Sequence, residues 1–481
     1  SLFRRSSSRA SNPTTHGVTM RGLSASGSSR ALILLDGVPL NEGFGGWVTW
    51  ERVPGAAIDQ VSVQRGPAGD VFGTDALGGV VRLVTNGGTR GTAQASAEAA
   101  SLNTRSLSLS GGAPVSGAAL FGAASWFNSD GFVPLEPASR GAVDAPMDTT
   151  WTNAYGRASF GASDRRVTLS GWGGRDNRGN GTVLTRNRSR GGTGTAAFEG
   201  TFGSTTAAAR VSGGTNWYEQ TFSSIVATRA TERLTSTQHI DTGMMRAIAE
   251  VGRPIPNGRI ALRGTLSRTS STFETISAST GVATSRDLVD NSQSVSVEAA
   301  TAPIAALTLS AGARHEWRAA PVSGTAWLGA TVARASAAYQ VQPSITLRAS
   351  GATSHRWPTL NELARDFSAG STSTLANANL LPERARSMDA GIEVSGHGFQ
   401  VSVTGFRSVV LDAIANVTQS SSATAIVRQR RNAGEAHSTG VEIDGEWQNT
   451  LVRLRASMTF LDAKFRNSQE AALEGNWLPQ V

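Results

Sequence analysis

Residues Ile58 to Thr85 read IDQVSVQRGPAGDVFGTDALGGVVRLVT. Apolar and polar residues alternate over Ile58–Arg65 and again over Val80–Thr85, the period of two short strands. Between them stand Gly66, Pro67, Gly69, Gly73, Gly78 and Gly79. Glycines this dense serve where the backbone takes positive φ or lies close to other backbone. A phosphate-binding loop is one reading. It lacks a Gly-Lys-Ser/Thr step and leads into a strand instead of a long helix. A compact turn in a small α/β domain accounts for it better.

Three motifs in and before this stretch resemble the plug domain of TonB-dependent outer-membrane receptors. They are Met20-Arg21-Gly22, Leu34-Leu35-Asp36-Gly37-Val38-Pro39-Leu40-Asn41, and the run Arg65-Gly66-Pro67, Phe72-Gly73, Ala76-Leu77-Gly78-Gly79-Val80 and Val84-Thr85. The plug is expected over residues 1–89, with Arg30–Leu35 as a buried strand. In such a domain two loops form apices facing the extracellular cavity. Here these are Ser24–Ser29 and the aromatic, glycine-rich Leu40–Arg52. Local packing of its aromatics is the plainer reading of the second loop. The resemblance implies ligand contact there, at Glu42, Phe44, Trp47, Trp50 and Arg52.

The remainder behaves like the wall around such a plug. No run approaches the ~20 apolar residues of a membrane-spanning helix, so a membrane-spanning chain of this composition must be a barrel. From about Gly91, segments of ~10 residues alternate small-apolar with polar, as transmembrane strands do. Arg105–Ser110, Gln293–Val297 and Leu451–Phe460 are examples. Short connections (Gly111–Gly117, Gly161–Arg165, Phe202–Thr205, Arg253–Gly258, Gln340–Ser344, Gly396–Gly398) alternate with long ones. The long ones are Asn128–Thr150, Arg175–Gly192, Tyr218–Ile240, Thr269–Asn291, Ser354–Arg386 and Val410–Gln429. That asymmetry belongs to outer-membrane barrels, with the short turns periplasmic. Trp126, Phe127, Trp151, Tyr155, Trp172, Trp217, Tyr218 and Trp327 fall near expected strand ends, where interfacial girdles form.

The fold class is therefore a transmembrane β-barrel over residues 90–481 with an N-terminal α/β plug inside it. About eighteen strands are legible, and the resembled family has twenty-two. Later motifs agree with the family: Trp357-Pro358-Thr359-Leu360-Asn361-Glu362-Leu363, Arg431-Asn432-Ala433-Gly434, Thr439-Gly440-Val441-Glu442 and Leu461-Asp462-Ala463. The chain opens at Ser1 without a signal peptide and reads as a fragment truncated at both ends.

Composition narrows the chemistry. Cysteine is absent, which removes disulfides and Cys-based metal sites. The six histidines, His16, His239, His315, His355, His397 and His437, show no metal-ligand spacing. No nucleophile elbow is present, and no enzyme, metal or cofactor is expected. Net charge is +8, yet no motif for reading nucleic acid accompanies it. Arg175, Arg178, Arg186, Arg188 and Arg190 crowd one expected external loop. They suit contact with lipopolysaccharide phosphates or, more sharply, steering of an anionic ferric chelate.

Period-two parity places Asp389 and Glu393 on one lumen face, and Glu442, Asp444 and Glu446 on another. In the resembled family, arginines at the positions of Arg21 and Arg65 meet carboxylates at those of Asp389 and Glu442, a polar latch between plug and wall. The family has glutamate where this chain has Asp389, so that pair is expected to be looser. By resemblance the protein is a monomer in the outer membrane of a Gram-negative bacterium. It imports a scarce large ligand, with a ferric siderophore the default and cobalamin open. A TonB complex drives it through a segment upstream of Ser1. A passive porin or a structural surface barrel is the alternative, and residues 1–89 argue against a porin.

Overall fold

The structure is a computed structural model that describes residues 2–3, 14, 17–23, 29–162, 164–322, 327–422 and 424–478. Residues 24–28 of the expected first apex, and His16, lie outside the described residues.

The plug is built on a four-stranded sheet. Its spatial order is Val38–Pro39, Ala31–Leu35, Gly79–Thr85, Ile58–Arg65. The two middle strands are parallel and the outer pairings antiparallel. Ala31–Leu35 is buried along its length, as its unbroken apolar run requires. Leu32 and Leu34 pack on Ala68, Ala76 and Val80, within the plug. Ala31, Ile33 and Leu35 share a cluster with Phe121, Ala123, Tyr155 and Trp172 of the wall. One strand thus joins the plug's own core to the barrel. The glycine-rich turn folds into a four-residue helix, Gly69–Phe72, ended by Gly73 at φ +85°.

Seventeen strands, from Thr92–Ala100 to Arg453–Arg466, run in chain order around the barrel among the described residues. Sequential neighbours pair antiparallel, for example Thr104–Val115 with Ala118–Ser129. Several wall strands turn one face to the plug, such as Thr149–Gly161 and Arg165–Gly179. The other carries exposed apolar residues such as Val167, Leu169, Val211, Leu262 and Leu266, the alternation a lipid-facing wall requires. Connections at one end are tight turns, including 116–117, 203–204, 256–257 and 397–398.

The other end departs from the sequence expectation in a consistent way. Strands there run far beyond the ~9–11 residues needed to span a bilayer; Glu232–Ile255 has 24. Three expected long loops are therefore mostly paired strand, and only 180–185, 226–231 and 278–282 remain as connections. Polar residues continued the period-two pairing past the apolar band, so composition marked the membrane edge and not the strand end. The connections 357–382 and 412–434 remain long. They contribute Phe367–Ala369, Thr372–Leu375, Ile414–Ser421 and Ile426–Asn432 to a separate four-stranded sheet. The aromatic girdle is also thinner than expected. Trp126 and Trp327 are exposed, whereas Phe127, Tyr155, Trp172 and Tyr218 are buried.

Candidate functional site: a plug pinned inside its barrel

The plug carries Arg21 in a turn at φ +52°, a left-handed conformation that a non-glycine residue seldom adopts. The turn aims the guanidinium at the wall. Its Nε and Nη2 donate to the two Glu442 oxygens at 3.3 and 3.1 Å, and Nη1 donates to Asp389 Oδ2 at 3.4 Å. The Phe406 ring lies under it at 4.4 Å. Both Arg21 and Glu442 are nearly inaccessible, at 4% and 5% side-chain exposure. Gly66 makes room: a Cβ there would stand 3.2 Å from Arg21 Nη1. Asp389 is one methylene shorter than glutamate and reaches only the longest of these contacts. It also accepts from Ser350 Oγ at 3.0 Å.

Arg65 is 3.6 Å from Glu442. Its stronger partner is Asp444, bonded through both terminal nitrogens at 2.6 and 3.0 Å. Glu442 thus lies between two plug arginines, with Asp444 and Asp389 flanking. Parity had placed Asp444 on the lumen face; nothing in the sequence singled it out as the partner of Arg65.

A second cluster holds the plug to an outer loop. Arg30 of the plug and Arg356 of the wall both bond Glu383. Arg356 also forks onto Glu362, at 2.9 and 3.1 Å. Glu362 lies on the short helix Leu360–Ala364 and closes a capping box with Thr359. Burial alone would raise its pKa; the Arg356 guanidinium more than offsets that and holds it below the usual glutamate range. Glu383 additionally accepts the Ile414 N–H at 2.7 Å. Four charges with almost no solvent exposure therefore tie plug, wall and two long connections at one point.

The expected ligand contacts at the apex are enclosed. Phe44 and Trp47 pack against Tyr218, Ile240, Phe273 and Leu288 of the wall and Leu360 and Ala364 of the helix. The Phe44 carbonyl accepts the Asn361 N–H at 2.8 Å. Glu42 turns its carboxylate inward to the N–H groups of Phe44 and Gly45, at 3.0 and 2.7 Å. Arg52 bonds Asn216 and Ser189 of the wall, and Trp50 is half-buried. Phe44 and Trp47 are thus packed and not exposed in this structure: a loop helix covers them, as burial of apolar surface favours. Next to them Glu51 pairs with Arg178 at 3.1 Å. Burial pushes the Glu51 carboxyl above its usual range, with Arg178 pulling the other way.

The arginines expected in one loop are instead distributed over paired strands. Arg178 points inward to Glu51 and Asp176. Arg186 bonds Asp148 and Arg188 bonds Glu219. Arg175 and Arg190 stand opposite each other. No cluster suited to a metal ion occurs among the described residues.

Comparison with known proteins covers both plug and barrel. Residues 4–80 match the TonB-dependent receptor plug domain, and residues 81–481 match the TonB-dependent receptor-like β-barrel. The vitamin B12 transporter BtuB of Vibrio vulnificus strain YJ016 is 38% identical over 68 residues, which is 14% of this chain and 11% of that protein. The siderophore receptor PirA of Acinetobacter baumannii superposes with a TM-score of 0.75 at 15% identity, over 96% of this chain and 76% of that one. The copper transporter OprC gives 0.78 at 16% identity, over 97% and 74%. The ferric yersiniabactin receptor FyuA of Yersinia pestis gives 0.75 at 13% identity, over 100% and 77%. At such identities these structures speak to the fold alone; the family rests on the match across plug and barrel. The chain belongs to the TonB-dependent receptors, the plugged β-barrels of the Gram-negative outer membrane.

Proposed function

We propose that this protein imports a scarce, large ligand across the outer membrane, with a ferric siderophore the leading candidate and a cobalamin-type ligand next. One observation carries the reading: a folded plug fills the barrel and is pinned to its wall by buried charge pairs. A pore closed in this way needs work to open. A TonB-type complex supplies that work, and a monomer suffices because one chain holds both plug and wall. We place the division between plug and barrel at residues 89 and 90, in the link between Thr85 and Thr92. The passive-porin reading has no use for the charge pairs.

In this reading ligand meets Glu42, Phe44, Trp47, Trp50 and Arg52 after the helix Leu360–Ala364 lifts from the apex. Aromatic surface beside a few directed polar groups is how large ligands are held. Ferric-siderophore binding, followed by quenching of tryptophan fluorescence in the purified protein, should weaken at least tenfold in Trp47→Ala/Trp50→Ala, with the barrel still assembled. Unchanged affinity would assign both tryptophans to packing.

The long connections face the cell exterior. A membrane-impermeant maleimide should label Ser139→Cys on intact cells and leave Ser204→Cys, in a short turn, unlabelled until the membrane is broken. The reverse pattern would invert the orientation.

A further inference from the structure

The buried charge pairs tie the plug to one side of the wall, through Glu383–Gly396 and Glu435–Gln448. Across the lumen, along the strands from Arg186–Phe202 to Gly258–Ser277, the seam between plug and wall holds two cavities, of about 160 and 270 Å³. Among the described residues only Leu32 of the plug and Arg246 of the wall line both. Arg246 follows the buried Ile240 and Thr242 at even spacing, so it shares their inward face. Its direct cross-strand neighbours are Ser212 and Ser267, too short to cover a guanidinium. In the next row towards the short turns, Arg210 and Thr265 stand on either side of Ile248. Both are diagonal neighbours of Arg246, roughly 7–8 Å away and within reach of long side chains.

The larger cavity is rich in donors and poor in free acceptors. Arg246 makes no ion pair or hydrogen bond among the described residues, and its Nε is enclosed without a partner. Arg210 likewise makes none among them; its Nη1 lies against the Gly37 turn of the plug, where a Cβ would overlap it. Thr265 Oγ1 is also enclosed without a partner, on a residue 5% exposed. A third arginine, Arg263, is already matched. Its Nε donates to Glu250 at 3.0 Å and its Nη1 to the Val71 carbonyl at 2.7 Å. Glu250 further accepts from Arg259 at 3.1 Å, and Glu199 stands at the exposed margin. The plug supplies the apolar Leu32, Leu34, Val71 and Phe72. Two guanidinium groups therefore share an enclosed space with no carboxylate bonded to either, at a cost in lost solvation and mutual repulsion.

We propose that this cavity binds one tetrahedral oxyanion, sulfate or inorganic phosphate, between Arg210, Arg246 and Thr265. Each guanidinium offers a planar fork of N–H groups that fits two oxygens of such an ion, and the Thr265 hydroxyl donates to a third. The ion turns repulsion between the arginines into charge-assisted hydrogen bonding. Water would hydrate the same groups and leave the two charges opposed. Chloride would balance charge, but a single sphere cannot take the paired N–H groups of two forks. Bound there, the oxyanion neutralises the wall beneath the plug on the side that the buried charge pairs do not reach. The proposal is independent of what the plug admits.

The test uses the purified full chain in detergent, with sulfate, phosphate and chloride as probes at equal ionic strength. The thermal unfolding midpoint of the parent should rise with millimolar sulfate or phosphate and stay level with chloride. Arg246→Met should lower the apparent affinity about tenfold or more, as loss of a charge-assisted contact does. Thr265→Val, which keeps the shape and removes the hydroxyl, should weaken binding less. Without either oxyanion, Arg246→Met should unfold no earlier than the parent, because the parent then buries an unmatched charge. An arginine needed only for packing would be missed in every medium. Crystals of the parent soaked in selenate should show one anomalous peak per chain between Arg210 and Arg246, absent in Arg246→Met. If Arg246→Met does not assemble, Arg210→Gln and the selenate peak in the parent decide. An equal rise in parent and variant, an equal response to chloride, or a cavity holding water and no selenate would each overturn the proposal.

Discussion

Arg21→Gln should unseat the plug far more than Arg65→Gln. Arg21 and Glu442 are both almost fully buried, whereas Arg65 and Asp444 are 37% and 36% exposed. An exposed ion pair contributes ~0–1 kcal/mol. Removing one partner of a buried pair strands the other at a cost of ~3–5 kcal/mol. In Arg21→Gln, Glu442 keeps only Arg65, at 3.6 Å, and the Phe406 ring loses its cation. Planar-bilayer recordings should show frequent large openings, and cells should become sensitive to antibiotics too large for porins. Arg65→Gln should show a minor version of both. Adding Glu442→Gln to Arg21→Gln should recover part of the seal, since the almost fully buried carboxylate charge is then gone and Asp389, 24% exposed, still accepts from Ser350 Oγ. A parent-like, closed trace from Arg21→Gln would remove the latch from the account.

These contacts also show which parts of the structure the sequence could disclose. The plug strands and the wall strands were legible because a strand buried on both faces reads as an unbroken apolar run, and a strand facing lipid and lumen reads as period two. Parity also put Asp389, Glu442 and Asp444 on the lumen side. It could not rank Asp444 above Glu442 as the partner of Arg65, because that choice depends on how far the plug is rotated inside the wall. Strand ends failed for a related reason. Above the membrane the outer face is wet and the inner one is buried on polar partners such as Asp176, Arg178, Asn187 and Ser189, so paired strand and loop have the same composition, and Arg175–Gly192 reads as a loop. The cover over Phe44 and Trp47 was not legible, because it comes from a loop distant in sequence. The Glu362 cluster did carry one local sign that went unread: Thr359-x-x-Glu362 is the pattern of a capping box, and it marks the helix that lies over the apex.

Arg356 is where the largest loss is expected. Its guanidinium stands between Glu383 and Glu362, with Arg30 on the far side of Glu383. Arg356→Met keeps the length of the side chain and removes the charge from between two buried carboxylates. Glu383 keeps Arg30. Glu362 loses its bidentate partner, while its carboxylate still accepts from Thr359 N–H and Oγ1 at 2.8 and 3.1 Å, contacts set for an ionised group. The expected penalty is at the upper part of the ~3–5 kcal/mol range for a broken buried pair. It should be met by movement of the partner that lies outside the barrel ladder, since the wall strand is held by its ladder on both sides. That partner is the helix Leu360–Ala364, whose departure uncovers Phe44 and Trp47. Intact cells carrying Arg356→Met should therefore be cleaved by external protease within 357–382, with tryptophan emission of the purified protein shifted to the red. Glu362→Gln should have a smaller effect, because amide and carboxylate both accept from Thr359 and only one charge is lost. The triple change Arg356→Met/Glu362→Gln/Glu383→Gln should restore protection in part, since both carboxylate charges leave with the guanidinium. If Arg356→Met is as protease-resistant as the parent while Trp47 stays enclosed, the charge cluster is not what holds the loop down, and the apolar contacts of Leu360 and Ala364 carry that role alone.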